Sequence, residues 1–142
     1  MYLDTTYLIR CTDALEKAYT NLQKYSEDEL EYDIFRSAVI KEFEIIIEQS
    51  GKLLKKALSP DFHSSQAVDK LYFKDLFREA GLHGLLEVEE VERWLLYRDN
   101  RNNTAHDYGE SPANETLALM NQFINDARDL AKVIENENQR KR

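Results

Sequence analysis

The sequence has few of the residues that interrupt or cross-link a chain. Its 142 residues include four glycines, two prolines and a single cysteine, Cys11. One cysteine excludes a disulfide within the chain and favours a reducing, cytoplasmic setting. With no His-x3-His spacing either, we expect no zinc site. The scarcity of glycine and proline leaves long spans free to follow a helical period.

The sequence also lacks long apolar runs and a surplus of positive charge. No stretch is long enough to span a membrane, and the opening MYLDTTYLIRCTDALEK lacks the basic start and continuous apolar run of a signal peptide. Lysine and arginine number 19 and aspartate and glutamate 27, so the net charge is 19 − 27 = −8. A broad electrostatic binder of nucleic acid is usually basic. Any contact with RNA must therefore be local.

Apolar residues recur at three- and four-residue steps, which predicts helices rather than strands. The spacing indicates a first helix. SEDE (Ser26 to Glu29) fits a capping box at the start of a second helix. This second helix starts at the capping box or only at Asp33, and it runs to about Ala57. The second helix carries two apolar stripes, so it must be covered twice. One stripe would be covered by the bundle. The other is covered either by the bundle as well, which makes this a buried central helix, or by a second subunit, and the sequence leaves both alternatives open. The first helix rests on Leu8, Cys11, Leu15, Ala18, Leu22 and Tyr25; the stripes are Phe35, Val39, Phe43, Ile46, Leu53 and Ala57, and Ile40, Ile47 and Leu54.

The second half of the chain predicts three more helices. SPDFHSS (Ser59 to Ser65) indicates a loop, and GESP predicts a stop at Gly109, a cap at Ser111 and a helix start at Pro112. We expect one all-α domain over residues 1–142, an antiparallel bundle of four main helices plus a short extra one, with a fraying polar tail at about 136–142. The third helix is predicted from Val68, Leu71, Tyr72, Leu76 and Phe77, ending at Gly81 and Gly84; the fourth from Val88, Val91, Trp94 and Leu95; the fifth from Leu117, Met120, Ile124, Ala127, Ala131 and Ile134.

The fourth predicted helix changes character at its C-terminal end, in RWLLYRDNRNNTAHDYGESP. A helix turns about 100° per residue, so the wedge that carries Trp94 and Leu95 continues through Arg98, Asn102 and His106. Arg101 and Tyr108 fall at one edge of that wedge. Burying such groups without partners would cost several kcal/mol. We therefore expect a wet cleft there, or a partner that supplies acceptors.

These residue types suit metal-free cleavage of RNA. A histidine at a helix C-terminus protonates readily and can act as a general acid or base. An arginine can hold a phosphate by two parallel hydrogen bonds and stabilise a phosphorane. The alternative is that Arg101 and His106 belong to an ordinary solvated helix end.

The block RNNTAHDY (Arg101 to Tyr108) resembles the Arg-x4-His-x-Tyr motif of HEPN-domain toxins, the class paired with a minimal nucleotidyltransferase antitoxin. FEIIIEQSGKLLKK (Phe43 to Lys56) resembles that family's Phe-Glu-x3-Glu-x3-Lys helix, and FKDLFREAGL (Phe73 to Leu82) its short middle helix. The likeness spans roughly residues 5–135. One position departs from it, because Asn100 stands where family members commonly carry aspartate.

The resemblance implies a HEPN-like bundle that forms a homodimer, with a metal-independent endoribonuclease site at the dimer cleft. Arg101 and His106 would be catalytic, Asn102 would support them, and Arg98 on the same wedge is a further supporting candidate. The antitoxin would silence the toxin by transferring AMP to Tyr108. We expect no cofactor and no metal.

Other features carry less information. Glu44, Glu48 and Lys52 fit ordinary pairing along a helix surface, although the acidic groups could also receive a basic partner. His63 and His83 fall in predicted loops, Trp94 fits the core, and no glycine-rich loop predicts ATP binding. Two functions besides the ribonuclease toxin stay open: a non-catalytic substrate-binding or regulatory subunit of a nucleotidyltransferase, and a purely structural dimeric bundle.

Overall fold

The structure is a computed structural model that describes residues 2–62, 64–106 and 110–140, and within them all side chains except those of residues 65, 105–106 and 110–113. Over these ranges the chain is helical and has no strand, so the predicted all-α bundle is confirmed. Four long helices form the bundle, and three short ones connect them. The helices are α1 (Thr6–Leu22), α2 (Leu30–Leu58), α3 (Ser65–Asp69), α4 (Phe73–Leu82), α5 (Val88–His106), α6 (Glu110–Leu117) and α7 (Met120–Arg140), with a 3₁₀ turn at Ser59–Asp61.

The centre of the bundle is α2, which packs against α1, α4, α5, α6 and α7. Both of its predicted stripes are covered within the chain. Val39, Phe43 and Ile46 of the first stripe are fully buried, and so are Ile47 and Leu54 of the second. The interpretation of α2 as a buried central helix is therefore correct for most of its length.

The start of α2 differs from both predictions, because the helix begins at Leu30 and Glu29 is its N-cap. The Ser26 amide does donate to Glu29 Oε1 at 3.1 Å, as a capping box requires. The Ser26 hydroxyl, however, donates to the carboxylates of Asp28 and Glu29 instead of accepting from a backbone amide. The SEDE pattern thus folds the turn that precedes the helix.

The middle of the chain contains two short helices where one was predicted. The break falls at residues 70–72, and the Tyr72 amide donates to Asp75 at 3.4 Å where α4 begins. Of the two predicted stop signals, only Gly84 acts as one, since its φ of 78° lies in the left-handed region. Gly81 lies inside α4, where a Cβ would come within 3.0 Å of Val91 Cγ2. Gly81 therefore serves close packing of α4 on α5.

The C-terminal part also divides into two helices. Because α6 already begins at Glu110, Ser111 is not its cap and Pro112 is not its first residue. The predicted stop at Gly109 lies outside the described residues. The apolar residues predicted for the fifth helix are all buried, but they are shared between α6 and α7. The prediction that the polar tail frays is wrong up to Arg140. Asn138 ties this end of α7 to the N-terminal segment through hydrogen bonds with the amide and carbonyl of Leu3, each 2.8 Å long.

None of the helices in the described ranges combines the length and apolar character needed to cross a membrane.

Candidate active site

The buried face of α5 is rotated from the predicted one. Trp94 and Tyr97 are fully buried and Val91 nearly so, whereas Val88, which was predicted to face the core, is 67% exposed. Trp94 is a core residue as predicted, and its ring stacks on Phe77 with centroids 4.9 Å apart. The buried wedge is therefore centred on the Tyr97 side of Trp94. Apolar periodicity missed this rotation because polar contacts hold that side of the helix.

Those contacts form a network between α5 and α7. The Arg93 guanidinium donates to both carboxylate oxygens of Asp126, at 2.7 and 2.9 Å. The Tyr97 hydroxyl donates to Asp126 at 2.5 Å and accepts from Gln122 at 3.0 Å. Burial and the neighbouring carboxylate raise the pKa of Tyr97, so the phenol stays protonated. The network joins the Tyr97 side of α5 to α7.

Two polar residues on the inner side of that C-terminal half are satisfied by the helix itself. Asn100 Nδ2 donates to the Leu96 carbonyl at 3.0 Å, and Thr104 Oγ1 donates to the Arg101 carbonyl at 2.9 Å. Both residues are buried. Each bond offsets part of the cost of burying the polar group that makes it.

Arg101 lies at a cleft. Its side chain is 29% exposed, and its closest carboxylate oxygen among the described residues is Oε2 of Glu44, 3.9 Å from Nε. That separation is too long for a hydrogen bond. The cavity beside it has a volume of about 350 Å³ and is lined by Tyr7, Glu44, Ile45, Glu48, Gln49 and Arg101. Within the described residues, the guanidinium thus has no hydrogen-bonded carboxylate and faces an open cavity.

The α1 and α2 residues at this cavity were not assigned to the site by sequence reasoning. Tyr7 comes from α1 and is 52% exposed; its contact with Cys11 raises the pKa of the phenol. Glu44 fits a surface series on α2 by its spacing, but it faces Arg101 of α5. The alternative that an acidic group there receives a basic partner is therefore correct for Glu44. No local pattern could have found Tyr7, because only the packing of α1 on α2 brings it here.

Arg98 lies beside a second cavity, next to the first. Its guanidinium stands over the Phe73 ring, 5.2 Å from the centroid. This cavity has a volume of about 200 Å³, and both cavities include Glu48 in their walls. Asn102 is half-buried. Arg98 and Arg101 thus line two cavities between α2 and α5 that share Glu48, and the two cavities together are called the groove. The second cavity is lined by Glu48, Gly51, Lys52, Lys55, Phe73, Leu76 and Arg98.

His106 is the last residue of α5. Its side chain lies outside the described residues, and so do all of Tyr108 and His63. The catalytic role of His106 and the role of Tyr108 therefore remain predictions. His83 follows α4 directly and pairs with Glu79 at 3.5 Å, away from the groove. In the part of the chain that the structure describes, no three His, Cys, Asp or Glu residues are grouped so that they could hold a metal ion.

Comparison with known proteins places the chain in a family. A family model described as nucleotidyltransferase substrate binding protein like matches residues 11–136. The chain is 31% identical to a probable ribonuclease HepT from Haemophilus influenzae. The aligned stretch of 107 residues covers 75% of this chain and 72% of the relative.

Two solved structures share the fold. One is HI0074 from Haemophilus influenzae, described as the fold of a substrate binding domain of a nucleotidyltransferase, with a TM-score of 0.78 and 25% identity over 93% of this chain and 99% of the other. The second, from Thermus thermophilus, has a TM-score of 0.63 and 25% identity over 84% of this chain and 98% of the other. From α1 to the C-terminal part of α7, the chain belongs to the family described as nucleotidyltransferase substrate binding protein like.

Proposed function

We propose that this chain is the toxin of a toxin–antitoxin pair and acts as a metal-independent endoribonuclease. The observation that carries the proposal is the state of Arg101, which is partly exposed at a cavity and 3.9 Å from its closest carboxylate oxygen among the described residues. An arginine in that state can bind a phosphate by two hydrogen bonds. The similarity to a probable ribonuclease supports the same function.

In the proposed reaction, the substrate supplies its own nucleophile. The 2′-hydroxyl oxygen attacks the adjacent phosphorus, the bond from phosphorus to the 5′-oxygen breaks, and a 2′,3′-cyclic phosphate and a 5′-hydroxyl result. His106 takes the proton from the 2′-hydroxyl or gives one to the leaving oxygen. Arg101 stabilises the extra negative charge of the phosphorane, and Arg98 and Asn102 support substrate binding. No metal or cofactor takes part.

The proposed active form is a homodimer. Arg101 and His106 are about 140° apart on an ideal helix, so one copy surrounds a phosphate poorly. Two copies of α5 facing each other across a two-fold axis would place both residue types around one substrate. Light scattering at micromolar concentration should give twice the chain mass. A monomer that is fully active would contradict a shared site.

A chelation experiment tests the chemistry. Wild type should cleave RNA in EDTA and leave 2′,3′-cyclic phosphate ends, whereas His106→Ala should lose activity by about 100-fold or more, because general acid–base catalysis contributes about 10²–10⁴. His83→Ala is the matched control, since His83 is exposed and pairs with Glu79 of the adjoining helix. Equal activity of His106→Ala and His83→Ala would overturn the mechanism.

The proposed control is modification of Tyr108 by a nucleotidyltransferase antitoxin. AMP on this tyrosine would place a bulky anion seven residues after Arg101 in the chain and two residues past His106, the last residue of α5. It would block the phosphate site sterically and pair with the charge that catalysis needs. Mass spectrometry after co-expression should find AMP on Tyr108, and Tyr108→Phe should escape silencing. Unmodified Tyr108 in a fully inhibited complex would leave masking by the partner as the explanation.

A second candidate is a non-catalytic substrate-binding or regulatory subunit of a nucleotidyltransferase. The family description favours it, and a net charge of −8 suits a protein–protein role better than RNA binding. Expression in cells that lack the partner separates the two. The toxin should arrest growth in a manner that depends on His106, whereas a binding subunit should be harmless as wild type and as His106→Ala.

A further inference from the structure

The groove beside Arg101 continues past the proposed cleavage site. The cavity at Arg101 and the cavity at Arg98 share Glu48 as a common wall. We propose that the second cavity is a phosphate subsite, which holds the RNA backbone next to the scissile phosphate through Lys52 and Arg98. This inference rests on the proposed function, and it adds a binding site that extends along α2.

The charge balance of the second cavity is opposite to that of the whole protein. The chain carries 19 basic and 27 acidic residues. Lys52, Lys55 and Arg98 nevertheless line this cavity together, and Glu48 is the acidic residue in its wall. A local basic surface on an acidic protein is the pattern that a short contact with a polyanion requires.

Two of these three cations are available to a ligand. Lys55 pairs with Asp69 at 3.4 Å. Lys52 is exposed, and neither Lys52 nor Arg98 has an ion pair within the described ranges. Arg98 rests one face of its guanidinium on Phe73. Such stacking orients the group and leaves its N–H edge open for a phosphate.

The floor of the subsite is built by close packing of α4 on α2. A Cβ at Gly51 would lie 3.1 Å from Phe73 Cδ2, so glycine at this position lets the ring approach α2. Phe73 in turn supports Arg98. The cation is therefore held in place before any ligand arrives, which lowers the entropic cost of binding.

The position of Arg98 relative to Arg101 suits one strand of RNA. Residues three apart on a helix have Cβ atoms about 5–6 Å apart on the same side. That spacing is on the scale of one nucleotide step, so a strand with one phosphate at Arg101 can place the next at Arg98. Lys52 of α2 lines the same cavity as Arg98.

A larger groove on the molecule provides the matched control. It has a volume of about 650 Å³ between α1 and the start of α7, and its walls include Lys17 and Lys24 as well as Asp13 and Glu16. Asp13 and Glu16 there are paired with Arg128 of α7. Replacing Lys17 and Lys24 removes the same number of positive charges as replacing Lys52 and Arg98, at a site where we expect no RNA.

The experiment measures binding of a single-stranded 2′-O-methyl oligonucleotide, which cannot be cleaved by its own 2′-hydroxyl, by fluorescence anisotropy. Combining Lys52→Gln with Arg98→Gln should raise Kd about tenfold. The slope of log K against log salt is negative, and its magnitude should decrease by about 0.7 for each phosphate that is no longer bound. Lys17→Gln with Lys24→Gln should change Kd by less than about twofold, because salt screens charges that lie far from the bound strand. Glu48→Gln should lower Kd, because it removes the negative charge from the wall.

Cleavage assays separate this inference from the proposed function. Lys52→Gln should lose more kcat/KM on a longer RNA than on a dinucleotide, because a dinucleotide has a single phosphate and cannot fill the subsite as well as the cleavage site. If the oligonucleotide binds as expected and no RNA is ever cleaved, the subsite stands and the ribonuclease proposal fails. Equal Kd values for the Lys52→Gln/Arg98→Gln variant and the Lys17→Gln/Lys24→Gln control would overturn the subsite. The subsite would also be overturned if the Lys52→Gln/Arg98→Gln variant bound the oligonucleotide like wild type but no longer bound the nucleotidyltransferase partner. The groove would then receive an acidic protein surface.

Discussion

Arg93 and Arg101 lie two turns apart on α5, and their side chains are held in opposite ways. Arg93 makes two hydrogen bonds, of 2.7 and 2.9 Å, with Asp126, whose side chain is 4% exposed. Arg101 lies 3.9 Å from the partly exposed Glu44, without a hydrogen bond to it. The first contact raises the pKa of Arg93 further above its already high value, so that charge is permanently engaged. Among the described residues, no carboxylate engages the charge of Arg101 as closely.

The difference shows how one helix can carry both a structural contact and a candidate site. The Arg93 end is tied to α7 through Asp126. Within the described residues, the Arg101 end has no hydrogen-bonded carboxylate that would compete with phosphate. A tight ion pair at Arg101 would have to be broken before substrate could bind, which would reduce affinity.

The largest effect on stability is expected from Asp126→Ala. This change removes the shared acceptor of Arg93 and Tyr97 and leaves the Tyr97 hydroxyl without its carboxylate partner in the core. We expect a loss of about 3 kcal/mol in the free energy of unfolding, measured by urea denaturation. Asp13→Ala removes a partner of Arg128 at the surface and should cost less than about 1 kcal/mol. Equal losses in the two variants would show that the network is not the anchor.

Arg101→Lys tests the other end of the comparison. The fold should keep its stability, whereas the rate of RNA cleavage should fall at least about tenfold, because an ammonium group cannot make the two-pronged contact with phosphate. Arg128→Lys is the control, since Arg128 is held at the surface by Asp13 and Glu16. An Arg101→Lys protein with the wild-type rate would contradict the proposed role of the guanidinium.

Tyr97→Phe should reduce stability by about 1 kcal/mol through the loss of its hydrogen bonds. It should also change the response to alkali. The folded state raises the pKa of Tyr97 above its ordinary value of 10.0, so the unfolded chain releases this proton first. The stability linked to that proton is complete below about pH 10 and is lost as the pH rises further.

The measurement for this variant is the free energy of unfolding at about pH 8 and about pH 10.5, on either side of the ordinary tyrosine pKa. Wild type should lose more stability between these values than Tyr97→Phe. Tyr72→Phe serves as the control, because Tyr72 is 81% exposed. If wild type and Tyr97→Phe have the same pH dependence, the buried phenol is not the group that titrates.

Glu44→Gln should have the smallest effect. The loose contact with Arg101 contributes less than about 0.5 kcal/mol, so the unfolding free energy should hardly change. Affinity for the 2′-O-methyl oligonucleotide should rise about twofold, because one repulsive charge leaves the cavity. Glu16→Gln, in the groove between α1 and α7, should leave that affinity unchanged. A loss of affinity in Glu44→Gln would mean that the carboxylate orients Arg101 for its ligand.

Local pattern was sufficient to predict the four long helices and most of the core. Residues three and four apart share a helix face, so the apolar spacing identified Phe43, Ile46, Trp94 and Ile134 as inward-facing without any knowledge of their neighbours. It also led to the prediction of a site at the polar end of α5. The same rule failed at helix ends, where the contacts of Ser26 and Tyr72 decided the boundaries.

What the sequence by itself determined is the set of amphipathic helices and the block of polar residues that closes α5. Only the tertiary structure decided how α5 is rotated, because its anchor Asp126 lies 33 residues from Arg93 in the chain. Only the tertiary structure decided that Arg93 is engaged and Arg101 available, since their partners come from α7 and α2. A helical period contains no information about which side chain of another helix faces a given residue. That choice is made when the helices pack, and here it creates the groove.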